Sequence, residues 1–158
     1  MRIQGTDHPL LYEINTRPWV RELGRQKKRF TLAHIPENAL DEIAALNFDL
    51  VWLMGVWQTG EAGQAIASQP SLQTEYRQIL PDLAPEDVIG SPYAVQDYRV
   101  STSLGGPKAL VKLRSCLAER GLGLILDFVP NHTARDHPWL FSRPEFYIHG
   151  DEDSMRME

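Results

Sequence analysis

Apolar positions along this 158-residue chain fall into two kinds of block. Short dense runs read as strands: "LLYEINT" (10–16), "DLVWLMGVW" (49–57) and "LGLILDFV" (122–129). The first is expected to end at Thr16, because Arg17 precedes Pro18 and a proline interrupts any strand ladder. The second is continuous enough for a strand covered on both faces of a parallel sheet. Two longer blocks carry a helical period. In "TLAHIPENALDEIAALNF" (31–48), Ile35, Leu40, Ile43, Ala44 and Leu46 recur about every 3.6 residues, with Pro36 and Glu37 near the start. "GPKALVKLRSCLAERGLG" (106–123) is amphipathic, with Leu110, Val111, Leu113 and Leu117 on its inner side and Gly121 as the stop.

Between the second strand and the second helix lies a long stretch, 57–107, holding five prolines and read as irregular apart from a short helix in "SLQTEYRQILPDL". The order is strand, helix, strand, long loop, helix, strand. That alternation implies parallel βαβ units in an α/β fold, whose ligands bind beyond the carboxyl ends of the strands. Both the long loop and "PNHTARDHPW" (130–139) leave from those ends.

Composition narrows the picture without redirecting it. A formal net charge of -5 with interspersed acids and bases argues against nucleic-acid or membrane-surface partners. The basic run "RQKKR" (25–29) reads as a solvated loop. One cysteine, Cys116, excludes an intramolecular disulfide and suits packing better than reactivity. No apolar run reaches membrane-spanning length and no basic-then-apolar leader opens the chain, so the expectation is a cytoplasmic protein. The glycosylation pattern "NHT" (131–133) is then a chance match.

Candidate chemistry gathers in two places. Asp127 interrupts the most apolar strand, where an uncompensated carboxylate costs several kcal/mol. Alone it is open between a structural acid at the strand mouth and a functional one; Asn131 and His132, just past the strand, favour function because a mere connector needs neither. "GSPYAVQDY" (90–98) sets Tyr93 and Tyr98 beside Asp97. Rings next to hydrogen-bonding acids suit a sugar, although buried tyrosines anchoring a loop would look the same. The His132/His137 pair in "HTARDH" has a zinc-like spacing but lacks further ligands. "GLG" (121–123) precedes a strand instead of following one, so it is a helix stop and not a phosphate loop.

Four segments in order resemble the alpha-amylase family of glycoside hydrolases: "LLYEINTRPWV", "DLVWLMGVWQTG", "SPYAVQDYRVSTSLGG" and "LILDFVPNH". The resemblance implies the first three β/α units of a (β/α)8 TIM barrel, incomplete here because such barrels run to about 250 residues. By the same resemblance Tyr93 stacks on the sugar of the glycone pocket and His132 hydrogen-bonds one of its hydroxyls. Asp127 orients local groups, Asn131 fixes the loop, and Asp97 and Tyr98 support the pocket. No cofactor is implied. Calcium, which Asn131 ligates in some members, lacks support, since one neutral Asn falls far short of roughly six to eight oxygen ligands.

Retaining glycosidases need two carboxylates about 5–5.5 Å apart as nucleophile and acid/base. In this family both lie on later strands, and no segment here carries those patterns. The expectation is therefore the N-terminal portion of a hydrolase or transglycosylase acting on alpha-glucosides, inactive as this chain alone. The alternative is a truncated, non-catalytic product that is at most a weak sugar-binding module. Exposed sheet edges add an expectation of self-association or partial melting.

Overall fold

The computed structural model describes residues 7–25 and 29–151. Among the described residues, five strands and six α-helices follow in the order β1 (Leu11–Asn15), α1 (Thr16–Gly24), α2 (Glu37–Ala45), β2 (Leu50–Met54), β3 (Trp57–Thr59), α3 (Glu61–Ala67), α4 (Pro70–Ile79), β4 (Val95–Val100), α5 (Gly106–Glu119), β5 (Gly123–Leu126) and α6 (Trp139–Ser142). Four 3-10 turns link them, at Leu32–His34, Pro85–Asp87, Thr102–Leu104 and Pro144–Phe146. Most of the basic run, residues 26–28, lies outside the described residues.

β1, β2 and β5 form a parallel sheet in that order, with Leu11 opposite Leu50 and Leu50 opposite Gly123. Asp49 ties the three together at their amino ends. Its carboxylate accepts the Leu10 N–H at 2.8 Å, and its carbonyl accepts the Gly123 N–H at 2.9 Å.

Because successive strand side chains point to opposite faces, the register sorts the sheet into two surfaces. Tyr12, Ile14, Val51, Leu53, Leu124 and Leu126 face the helices and join the main core with Leu40, Ile43, Leu113 and Leu117. The other face, with Glu13, Asn15, Trp52, Met54 and Ile125, is open to varying degrees. β2 was expected to be covered on both faces; among the described residues the helices pack on one.

Several further expectations are corrected. β1 stops one residue short of Thr16, and Thr16 begins a helix that the sequence reading did not foresee. Pro18 lies beyond the strand, in the first turn of α1, where its missing N–H would have had no partner. The run 49–57 is two strands, because Gly55 takes φ +71 and turns the chain between Met54 and Trp57.

The stretch 57–107 is not irregular. It contains α3 and α4 and an antiparallel β3–β4 pair, so Asp97 and Tyr98 stand on a strand and not in a loop. The short helix expected near 71–83 exists as α4. β3 was hidden because it is three residues long with an interrupted register, too short to show alternation.

In α5 the buried positions are Gly106, Ala109, Leu113 and Leu117. Val111, expected on the inner side, is 62% exposed; it falls two residues from both Ala109 and Leu113 and so turns about 200° away from them. Gly121 does stop the helix, at φ +77. The Leu122 N–H bonds back to the Leu117 carbonyl and the Gly121 N–H to that of Ala118, both at 3.0 Å, which satisfies two otherwise unpaired carbonyls. Arg120, just before it, joins the helix end to α2 through Glu37 at 2.6 Å and Asp41 at 2.7 Å. The hydrogen bond to Glu37, then that to Asp41, holds its guanidinium above the ordinary pKa. Cys116 is half-buried and packs against the core.

Candidate functional site at the carboxyl end of the sheet

β5 ends at Leu126, so Asp127 lies one residue past the strand instead of within it. It is nonetheless only 7% exposed. Trp52 Nε1 donates to its Oδ1 at 2.8 Å, and the Gly55 N–H donates to Oδ2 at 2.5 Å. Its own carbonyl accepts from Trp57 Nε1 at 2.9 Å. Two N–H donors on a carboxylate and a third on the carbonyl beside it offset the desolvation that burial imposes. Asp127 therefore clamps β2, β3 and β5 at their shared end.

Gly55 is needed twice over. Its φ is one that side chains rarely adopt, and a Cβ there would stand 2.7 Å from the Pro92 ring. This close approach sets the Pro92–Tyr93 turn against the Asp127 clamp. Tyr93 is partly buried, and burial first, then the charges of Asp127 and Glu13, push its phenol pKa up. The geometry thus brings Tyr93, Asp127 and Glu13 into one neighbourhood on the open side of the sheet.

Tyr98 holds the segment after Asp127. Its hydroxyl accepts the Val129 N–H at 2.8 Å and donates to the Val129 carbonyl at 3.2 Å. Its ring meets Trp57 edge-on at 5.3 Å and lies 6.0 Å from Phe128. Asp97, its neighbour on β4, pairs with Arg99 at 3.3 Å and makes no hydrogen bond to Tyr93 or Asp127.

Asn131 and His132 are exposed on the outgoing loop. The Asn131 amide nitrogen lies 3.4 Å from His132 Nδ1, and a donor there leaves Nε2–H free to donate outward. His137 is spent differently: it is buried, and its Nδ1 accepts the Trp139 N–H at 3.1 Å. Among the described residues, no three His, Cys, Asp or Glu side chains gather to hold a metal ion.

The sequence reading missed Trp52, Gly55, Trp57, Glu13 and Arg17. Arg17 ties α1 to the site's floor, donating to Ser103 Oγ at 3.0 Å and to the Trp57 carbonyl at 3.3 Å. With no carboxylate against it, burial lowers its pKa. A glycine breaking an apolar run was the one available signal for Gly55; the indoles looked like core.

The comparisons with known proteins agree with this arrangement. A solved alpha-amylase from Lactobacillus plantarum superposes with a TM-score of 0.64 at 25% identity, over 89% of this chain and 27% of that one. A trehalose-6-phosphate hydrolase of Bacillus licheniformis gives 0.52 at 20% identity, over 83% and 18%, and shares the fold. Among curated proteins, the amino acid transporter heavy chain SLC3A1 of Rattus norvegicus is 29% identical over 107 residues, 67% of this chain and 12% of that protein. The Homo sapiens protein of that name is 29% identical over 104 residues. The chain thus spans about one eighth of the curated relatives it matches. No helix among the described residues is long and apolar enough to cross a membrane. A clamp of Asp127, Trp52 and Gly55 at the carboxyl end of a parallel sheet is joined by a match of residues 35–149 to the alpha-amylase catalytic domain, and the chain belongs to the alpha-amylase family.

Proposed function

We propose that this chain supplies the first three β/α units of a (β/α)8 barrel acting on alpha-glucosides, by hydrolysis or glucosyl transfer. In this reading it contributes half of a glycone pocket and neither of the two catalytic carboxylates. The observation that carries it is the buried Asp127, held by Trp52 and Gly55 with Tyr93 beside it. Tyr93 offers a ring face to the sugar and His132 a free Nε2–H to a hydroxyl. Asp127, with both oxygens already engaged, orients the rim and does not attack. Asp97 and Tyr98 act from the supporting arm and Asn131 from the loop. No cofactor or metal enters this reading. The uncovered inner face and an apolar groove of about 420 Å3 beside β5, lined by Val111, Leu124 and Leu126, support further units packing there, or self-association when they are missing.

The curated relatives' name, amino acid transporter heavy chain, favours a second reading in which this region binds sugar weakly or serves no catalytic purpose. Titrating the chain with methyl α-glucoside and its β-anomer, followed by nuclear magnetic resonance, tests the first reading. The first reading expects millimolar, α-selective shifts of the Tyr93 and His132 ring signals and no glucose release from maltooligosaccharides. Equal response to both anomers would sink the alpha-glucoside pocket. Turnover that survives purification and is lost in Asp127→Asn would sink the claim that the catalysts lie elsewhere. Adding the remaining barrel strands of an alpha-amylase in trans tells the two readings apart, since restored hydrolysis is expected only of the first.

A further inference from the structure

A second concavity lies outside the Asp127 clamp. α3, α4 and the chain leading into β4 surround a groove of about 630 Å3, inside the roughly 300–1,000 Å3 range of small-molecule sites. Its walls are mainly Ile66, Leu72, Tyr76, Ile79, Leu83 and Val88. None of the residues of α4 is buried, and Ile79 is 80% exposed, so this helix turns apolar side chains toward unfilled space. Gly63 borders the same space, where an added Cβ would meet nothing within 4 Å.

Charge narrows what the groove would take. Asp87 and Arg135 are its two charged lining residues. Asp87 is committed, since its carboxylate pairs with Arg21 at 2.5 Å and accepts the Ala84 N–H at 2.9 Å. Arg135 is exposed and has no carboxylate partner among the described residues. Thr133, the nearest hydroxyl to it in sequence, is already engaged with Tyr147 and the Ala134 carbonyl. An aliphatic channel with one uncompensated guanidinium complements a molecule with an apolar tail and an anionic head.

We propose that this groove binds a medium-chain aliphatic carboxylate, its tail between α3 and α4 and its carboxylate on Arg135. The site stands independently of the alpha-glucoside reading. Calorimetric titration of the full chain with decanoate, below its micellar concentration, and with decanol tests it. One decanoate per chain is expected, bound at least tenfold more tightly than decanol. Arg135→Gln should bring decanoate down to the decanol level. Gly63→Leu, which projects into the groove from a helix that tolerates leucine, should abolish binding of both without lowering the melting temperature. Absence of saturable decanoate binding, several molecules per chain, or unchanged affinity in Arg135→Gln would each overturn the proposal.

Discussion

The two faces of the parallel sheet are built by the same three strands yet differ in almost every respect. On the helix side Leu53 is fully buried, and Ile14, Val51, Leu113 and Leu117 close around it. On the other side Glu13, Trp52 and Ile125 share one register row with only partial cover. Alternation along a strand puts neighbours one residue apart into these two worlds. The packed face supplies the stability, and the open face together with the rim above it carries the polar chemistry. A barrel needs both at once, because its inner face is filled only when all strands are present.

Three substitutions can break or sharpen that contrast. Leu53→Ala should cost about 2–5 kcal/mol, since it empties a site whose neighbours are already close-packed. That is a large part of the ~5–15 kcal/mol that holds an ordinary domain together. Urea unfolding followed by circular dichroism would show loss of the cooperative transition; a shift no greater than that of an exposed-site change would mean that the helix face is not the core.

Asp127→Ala should cost about 2–3 kcal/mol by stranding the Trp52 and Gly55 donors. It should also change the tryptophan emission, because the Trp52 indole loses its carboxylate acceptor, while Trp57 keeps the backbone carbonyl of residue 127. Unaltered emission would show that the clamp does not form in solution. The smallest effect is expected for Ile125→Ser, at 37% exposure on the open face. Stability should move by no more than about 0.5 kcal/mol, while sedimentation should show less self-association. A strongly destabilised Ile125→Ser chain would mean that the open face is in fact packed, and the comparison would fail.

Sequence patterns read the helix side well and the rim poorly. The three parallel strands announce themselves as dense apolar runs and α2 and α5 through repeated apolar spacing, and Gly121 marks the end of α5 by a rule that needs only local chemistry. α1 escaped because Pro18 is equally a strand breaker and a first-turn residue, and sequence alone does not choose between them. Val111 is apolar beside the buried stripe of α5 but lies off it, and composition alone does not mark which apolar residue at the stripe's edge turns outward.

At the rim, Asp127, Tyr93 and Tyr98 were legible as unusual residues in unusual places. Their partners were not. Trp52 and Trp57 are hydrophobic letters in a hydrophobic run, and only their indole N–H groups, aimed at Asp127, make them part of a polar site. Gly55 reads as one more small residue until Pro92, 37 positions later, closes against it.

What the sequence determined by itself was the order of the three parallel strands with α2 and α5 between them, the direction of the sheet and the segments that would carry polar groups to one end of it. These follow from periodicity and turn chemistry, which act over a few residues. Tertiary structure alone decided that Asp127 is a clamp with both oxygens occupied. It likewise separated Asp97 from the cluster and left Arg135 without a carboxylate partner, among the described residues, beside an apolar groove. Those outcomes depend on contacts between residues far apart in the chain, such as the 75 positions between Trp52 and Asp127, and no local pattern encodes which distant donor will arrive.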